Sequence, residues 1–249
     1  MPQTFHDAPA WFRRALDVPY TDCNTTVDGA GIHYLAWGEP GRPGLVFVHG
    51  GAAHAHWWTH VAAQFAAVYR VVAIDLSGHG DSDRRDEYSL DRWCNEVMAV
   101  ADDADMAGAP IVIGHSMGGL VTLATASAHG DRIAGAVVMD SPVSAPDPEM
   151  ESGRRNQFRD PKVYPDAATA IGRFRTVPEQ DHYEPYVMDH VAAMSLRPTD
   201  GGVTWKFDPR IFMPRRSAAN ELLPDITCRV ALFRAEHGLV TPGIGAYMY

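Results

Sequence analysis

Cysteine is scarce in this chain, and long apolar runs are absent. Cys23, Cys94 and Cys228 are three in number, widely spaced and without a CxxC pair. This pattern argues against a disulfide framework and against a thiolate zinc site. No run approaches the roughly 18 apolar residues that a membrane-spanning helix needs, and the N-terminal segment lacks a signal-peptide pattern. We therefore expect a cytoplasmic protein that does not insert into membranes.

Positive charge is also in short supply. Lys and Arg number 21 against 31 Asp and Glu, which gives a formal net charge of -10 at pH 7. Such a chain repels polyanions, so nucleic acid is not an expected partner. Hydrophobic residues make up 46% of the sequence, enough for the core of one large α/β domain. The expected partner is a small-molecule substrate, and the sequence leaves a homo-oligomer open.

Short apolar runs alternate with segments of helical spacing. Residues 24–38 predict a hairpin around Asp28 and Gly29. Buried strands are predicted at residues 45–48, 71–74, 111–113, 133–139 and 230–233, and helices at 57–68, 90–106 and 118–129. The alternation predicts a doubly wound, mostly parallel sheet with helices on both faces.

Residues 144–224 interrupt this pattern, because they are rich in Pro, Arg and aromatic residues and have only weak periodicity. A segment of this length is too long for a plain connection between core strands. We predict that it forms a helical lid inserted into a core made of residues 1–143 and 225–249.

The most informative motif is GHSMG, residues 114–118, which follows an apolar run and precedes a predicted helix. Small residues at Gly114 and Gly118 suit a tight strand-to-helix turn, which would hold Ser116 in a strained conformation with its hydroxyl exposed. The N-terminus of the next helix would point the backbone N–H of Met117 at a developing oxyanion. Ser116 is therefore the candidate nucleophile.

At this motif the sequence resembles the α/β-hydrolase family, and the resemblance covers nearly the whole chain. His49, Gly50 and Gly51 match the family's HG loop, and residues 75–82 match its DxxGxGxS turn, which we interpret as structural. The resemblance implies that the Gly51 N–H is the second oxyanion donor. It also implies a lid between the sixth and seventh strands and no cofactor.

An acid partner for the nucleophile is expected after the sixth or the seventh strand. The usual place follows the seventh strand, where this chain has Gly238 instead of aspartate. Asp140, at the end of the predicted sixth strand, occupies the alternative place and is the candidate acid. Glu236 is the rival, since it also leaves a strand at the carboxyl edge of the sheet.

The histidine that would act as the catalytic base does not stand where the family pattern places it. Relatives carry the histidine after an eighth strand, whereas this sequence ends at Tyr249, so we expect that the natural protein continues with that strand. His237 alone keeps the order serine, Asp140, histidine, and it is a weak candidate. No metal is expected: His56 and His60 are four residues apart near a predicted helix start and His54 is close to them in sequence, but no nearby carboxylate completes a ligand set.

These observations predict a serine hydrolase that acts on a small ester or related acyl compound through an acyl-enzyme. Carbon–carbon bond hydrolysis, acyl transfer and perhydrolysis use similar parts of the same fold and stay open. Epoxide hydrolysis and dehalogenation are disfavoured, because those relatives use aspartate where this chain has Ser116. The alternative from another class is a catalytically silent protein that binds a small apolar ligand under the lid.

Overall fold

A computed structural model describes residues 7–143, 161–177, 179–180, 182–212 and 219–249. The strands are β1 Thr21–Val27, β2 Ala30–Trp37, β3 Pro43–Val48, β4 Arg70–Ile74, β5 Ala107–His115, β6 Gly135–Met139, β7 Leu196–Thr199, β8 Gly202–Trp205 and β9 Val230–Phe233. The α-helices of the described residues are α1 Ala10–Asp17, α2 Thr59–Ala62, α3 Leu90–Asp103, α4 Met117–His129, α5 Ala167–Ile171, α6 Pro185–Met194, α7 Ala219–Leu222 and α8 Pro242–Met248. None of the described helices combines the length and the apolar character needed to cross a bilayer.

Seven strands form one sheet in the order β1-β2-β4-β3-β5-β6-β9. The pairs β1-β2 and β2-β4 are antiparallel, and the others are parallel. The predicted hairpin is confirmed: Asp28 and Gly29 have φ of 48° and 78°, as a two-residue turn with two left-handed positions requires. The predicted doubly wound, mostly parallel sheet is confirmed with it.

The strand order creates the place for a site. From β3 the chain first moves to β4 on one side and then to β5 on the other side of β3. The loops that follow β3 and β5 therefore diverge, and they leave a crevice at the carboxyl ends of these neighbouring strands. The HG loop follows β3, and Ser116 follows β5.

Apolar layers cover both faces of the sheet because each central strand alternates its side chains between them. In β3, Val46 and Val48 belong to the core beneath α3 and α4, whereas Leu45 and Phe47 belong to the core beneath α1 and α2. These four side chains are all nearly inaccessible to solvent. A continuous apolar run is thus explained by burial on two sides.

The helix predicted over residues 57–68 is wrong in its form. The segment consists of a 3-10 turn at Ala55–Trp57, the short helix α2, and a second 3-10 turn at Ala63–Phe65. The backbone N–H of Ala55 donates to Asp75 Oδ1 at 2.6 Å, and the Trp58 ring packs 5.0 Å from that of Phe47. These tertiary contacts override the helical periodicity.

The segment predicted as a helical lid contains strands as well as helices. Its described part contains α5 and α6, but also the antiparallel hairpin β7-β8, which turns at Gly201 with φ of 84°. The turn signal Asp200-Gly201 explains the hairpin. Residues 144–160, 178, 181 and 213–218 lie outside the described residues, and the boundaries of the lid stay a prediction.

Candidate active site

Ser116 lies at a sharp turn between β5 and α4. Its φ of 54° and ψ of -120° are strained for a residue with a side chain. The turn is held to the sheet because the Ser116 N–H donates to the Met139 carbonyl oxygen at 3.0 Å. A Cβ added at Gly114 would collide with the Gly118 carbonyl oxygen, and one added at Gly118 would collide with that of His49. Both glycines are therefore required by close backbone approach, as the motif predicts.

Two backbone segments beside Ser116 can offer N–H donors. Gly51 follows β3, and a Cβ at this position would come within 3.0 Å of the Phe212 ring. Met117 is the first residue of α4, where backbone N–H groups have no acceptor within the helix and the helix dipole favours negative charge. The Met117 side chain packs against the core. This arrangement suits an anion at the turn.

A cavity of about 550 Å³ opens above the turn. Ser116, Gly51 and Asp140 all line this cavity, so the structure brings these three predicted site residues together. Met117 is not itself part of the lining but directly follows Ser116. The lining also includes aromatic and cationic side chains, among them Trp57, Phe174, Trp205, Phe207, Arg173, Arg175 and Lys206. The volume suits a small organic molecule.

Asp140 directly follows β6 and has a φ of 47°. Its Oδ2 accepts a hydrogen bond from the Leu239 N–H at 2.7 Å, and its Oδ1 accepts one from the Val240 N–H at 3.1 Å. A Cβ added at Gly238 would collide with both oxygens of this carboxylate. The glycine that departs from the family pattern is thus explained, because the Asp140 carboxylate already fills the space beside position 238.

The rival acid and the weak base candidate lie elsewhere. The side chains of Glu236 and His237 are 87% and 86% exposed, and neither residue lines the cavity. The histidines that do line it, within the described residues, are His115 and His182. Burial lowers the pKa of His115, although the charge of Asp140 opposes this shift. No described histidine hydrogen-bonds the Ser116 hydroxyl.

The DxxGxGxS turn is organised around the buried Asp75 carboxylate. Oδ1 accepts the Ala55 N–H, and Oδ2 accepts the Asp81 N–H at 2.9 Å and the His33 Nδ1–H at 2.7 Å. Burial would raise the pKa of Asp75, but the hydrogen bond and charge of His33 hold it well below its usual value. A Cβ at Gly80 would collide with this carboxylate. The contacts support the structural interpretation of the turn.

Metal-ligand chemistry has one candidate grouping in the part of the chain that the structure describes. Ligand atoms of His33, Asp75 and Asp81 lie within 4.8 Å of one another. The Asp75 oxygens and His33 Nδ1 are already engaged with each other and with backbone N–H groups. The grouping is accounted for by these hydrogen bonds.

Of the three histidines considered for a metal, His54 and His56 are hydrogen-bonded to hydroxyl groups, whereas the buried Nδ1 of His60 has no hydrogen-bond partner among the described residues. His54 Nε2 lies 2.8 Å from Ser195 Oγ, and His56 Nδ1 lies 3.2 Å from Thr59 Oγ1. Burial lowers the pKa of His54, and it lowers that of His56 to about 4. Both rings are therefore neutral near pH 7 and serve as packed hydrogen-bonding groups.

Comparisons with known proteins agree on one family. A family model described as "Alpha/beta hydrolase family" matches residues 45–242. "Epoxide hydrolase 4" of Mus musculus is 31% identical over 127 residues, which are 49% of this chain and 35% of that protein. "Non-heme chloroperoxidase" of Streptomyces lividans is 37% identical over 135 residues, 53% of this chain and 47% of that protein. The chain spans less than half the length of each of these curated relatives.

A similar solved structure matches over most of the chain. The "Thioesterase Domain From Curacin Biosynthetic Pathway" superposes with a TM-score of 0.77 at 25% sequence identity. The match covers 92% of this chain and 88% of that domain.

Proposed function

The chain belongs to the alpha/beta hydrolase family, and from this premise we propose that it is a serine hydrolase that acts on a small ester or thioester through an acyl-enzyme on Ser116. The observation that carries the proposal is the strained turn at Ser116, which sets a hydroxyl at the wall of a ligand-sized cavity. A buried structural serine needs neither the strain nor the cavity.

The proposed reaction runs in two stages. The Ser116 oxygen attacks the carbonyl carbon while a base takes the hydroxyl proton, and the tetrahedral oxyanion accepts hydrogen bonds from the Gly51 and Met117 N–H groups. The bond to the leaving alcohol or thiol breaks as the base returns the proton to it. Water then attacks the acyl-enzyme, and its proton restores the serine. Asp140 is the proposed acid that orients and stabilises the protonated base.

The names of the relatives indicate several reactions, and the serine at position 116 favours some of them over others. Several relatives are named epoxide hydrolases, but the family pattern associates epoxide hydrolysis with an aspartate nucleophile, and this chain has Ser116 at that position. The thioesterase domain is named for acyl chemistry, which favours the ester or thioester assignment. Perhydrolysis, which the sequence leaves open, stays an alternative reaction at the same serine, and one relative is named a chloroperoxidase.

A second function is favoured by one observation. Because no described histidine hydrogen-bonds the Ser116 hydroxyl, the serine lacks a visible base in this part of the chain. A catalytically silent protein that binds a small apolar ligand in the same cavity fits that observation. The two functions differ in whether the serine reacts.

The test is hydrolysis of p-nitrophenyl acetate by the full chain and by Ser116→Ala, with and without added imidazole. Imidazole supplies a base, and subtracting the Ser116→Ala rate removes its direct reaction with the ester. Ser127→Ala, further along α4, is the matched control. We expect a rate that depends on Ser116 and that imidazole increases. Equal rates for the wild type and Ser116→Ala under both conditions would leave only the silent function.

A further inference from the structure

The cavity carries the opposite charge to the chain as a whole. The formal net charge of the chain is -10, yet Arg173, Arg175 and Lys206 line the cavity. Within the described residues the single carboxylate in its lining is Asp140, whose two oxygens already accept backbone N–H groups. This local excess of cations needs an explanation, because a random surface of this protein would be acidic.

Lys206 is held at the cavity by its backbone. Its N–H donates to the Ser195 carbonyl oxygen at 2.9 Å, and its own carbonyl accepts the Gly80 N–H at 2.8 Å. The ammonium group lies 2.5 Å from Asp81 Oδ2, and the Lys206 side chain is only 13% exposed. Lys206 therefore contributes a fixed charge that Asp81 partly neutralises.

The two arginines are placed by the residue between them. The Phe174 ring lies 5.6 Å from the Trp205 ring and 6.3 Å from the Trp57 ring, so it anchors the segment in the aromatic wall. Both arginines are exposed at the cavity. Arg175 Nη1 donates to the carbonyl oxygens of Phe174 at 2.5 Å and Gly172 at 3.5 Å, which leaves its Nε and Nη2 for a ligand. Neither guanidinium forms an ion pair with a described carboxylate.

Resting on the proposed function, we infer that the substrate is an ester or thioester that also carries an oxyanion, a carboxylate or a phosphate, which Arg173 and Arg175 bind. A guanidinium offers a planar fork of donors that matches either oxyanion. The aromatic side chains of Trp57, Phe174 and Trp205 provide the apolar surface for the short chain that joins the oxyanion to the reacting carbonyl.

The experiment measures binding, so it does not depend on turnover. Monoethyl glutarate and its neutral counterpart diethyl glutarate are titrated into the Ser116→Ala protein by calorimetry, and ethyl phosphonoacetate with a free phosphonic acid forms a third arm. We expect the charged glutarate ester or the phosphonate to bind about tenfold more tightly than the neutral ester. The stronger of the two charged ligands identifies the oxyanion.

Arg173→Gln, Arg175→Gln and the double variant should each reduce that preference. The control Arg92→Gln changes an exposed arginine of α3 that is not part of the cavity lining, and it should keep the preference. Thermal unfolding confirms that each variant is folded. Equal binding of charged and neutral esters, or a preference unchanged in the double variant, would overturn the inference.

Failure of the proposed function would give a different result. If Ser116 does not react but the charged ligands still bind in an arginine-dependent way, the oxyanion site stands and the hydrolase assignment falls. If Ser116 reacts but binding ignores charge, the hydrolase assignment stands and the oxyanion site falls.

Discussion

Gly238→Ala is expected to destabilise the protein by displacing the carboxylate of Asp140, the residue that follows β6. The added methyl group collides with Asp140 Oδ1 and Oδ2, so the carboxylate must leave its position. It then loses the hydrogen bonds from Leu239 at 2.7 Å and Val240 at 3.1 Å. Hydrogen bonds to a charged group contribute about 1.5 to 3 kcal/mol each when buried, and these are partly exposed. We therefore expect a loss of about 1 to 3 kcal/mol in unfolding free energy, discounted for solvent screening.

A double-mutant cycle isolates this contact. Asp140→Ala removes the same two hydrogen bonds and also removes the atoms that collide, so adding Gly238→Ala to it should cost only a few tenths of a kcal/mol. The assay is urea denaturation followed by tryptophan fluorescence for the wild type, both single variants and the double variant. Gly243→Ala, whose added Cβ would have only ordinary contacts, is the matched control. Additive effects of the two substitutions would refute the steric account of position 238.

Three further perturbations follow from the described contacts. Gly118→Ala should cost about 1 to 3 kcal/mol in urea denaturation and slow any reaction at the turn, because its methyl group meets backbone that has no room to shift; wild-type stability in this variant would contradict the packing argument. Arg85→Ala should lower the free energy of unfolding by about 3 to 5 kcal/mol, because it leaves the buried Glu96 carboxylate, 2.9 Å away, without its cation. Arg132→Ala breaks an exposed ion pair and should lower the same free energy by less than about 1 kcal/mol. Equal losses in the two variants would show that burial does not determine the strength of these ion pairs. Burial lowers the pKa of His33, but its carboxylate partners raise it more, so the folded value lies above 6.5. The deficit of His33→Gln should therefore be full below pH 6.5 and shrink as pH rises through the folded pKa. Melting curves across pH check this, and a constant deficit would contradict it.

The sheet and the nucleophile turn could be predicted because their signals are local. The apolar run of β3 indicates burial on both faces of the sheet. The GHSMG motif indicates a tight turn, in which Gly114 and Gly118 pack closely against neighbouring backbone atoms. The hairpin β7-β8 also had a local signal, Asp200-Gly201, but its Pro- and Arg-rich surroundings suggested a helical insertion. Local patterns were sufficient where the neighbouring residues agreed with them.

The rest depended on contacts between distant segments. The bond from Ala55 to Asp75 that interrupts the predicted helix joins two different loops. The contact between Asp140 and Gly238 joins the segments that follow β6 and β9, which are far apart in sequence. The sequence alone therefore shows that Gly238 departs from the family pattern but not why. Arg173 and Arg175 are exposed in the structure as the sequence suggests, and only the fold shows that they line the same cavity as Ser116.

The most direct test is reaction of the full chain with a fluorophosphonate, followed by mass spectrometry of the digested protein. The probe marks a serine only where its hydroxyl is activated, and added imidazole supplies a base to the open cavity. The account predicts an adduct on the peptide that contains Ser116, formed faster with imidazole and absent from Ser116→Ala. An adduct confined to other peptides, or no adduct at Ser116 with or without imidazole, would contradict it.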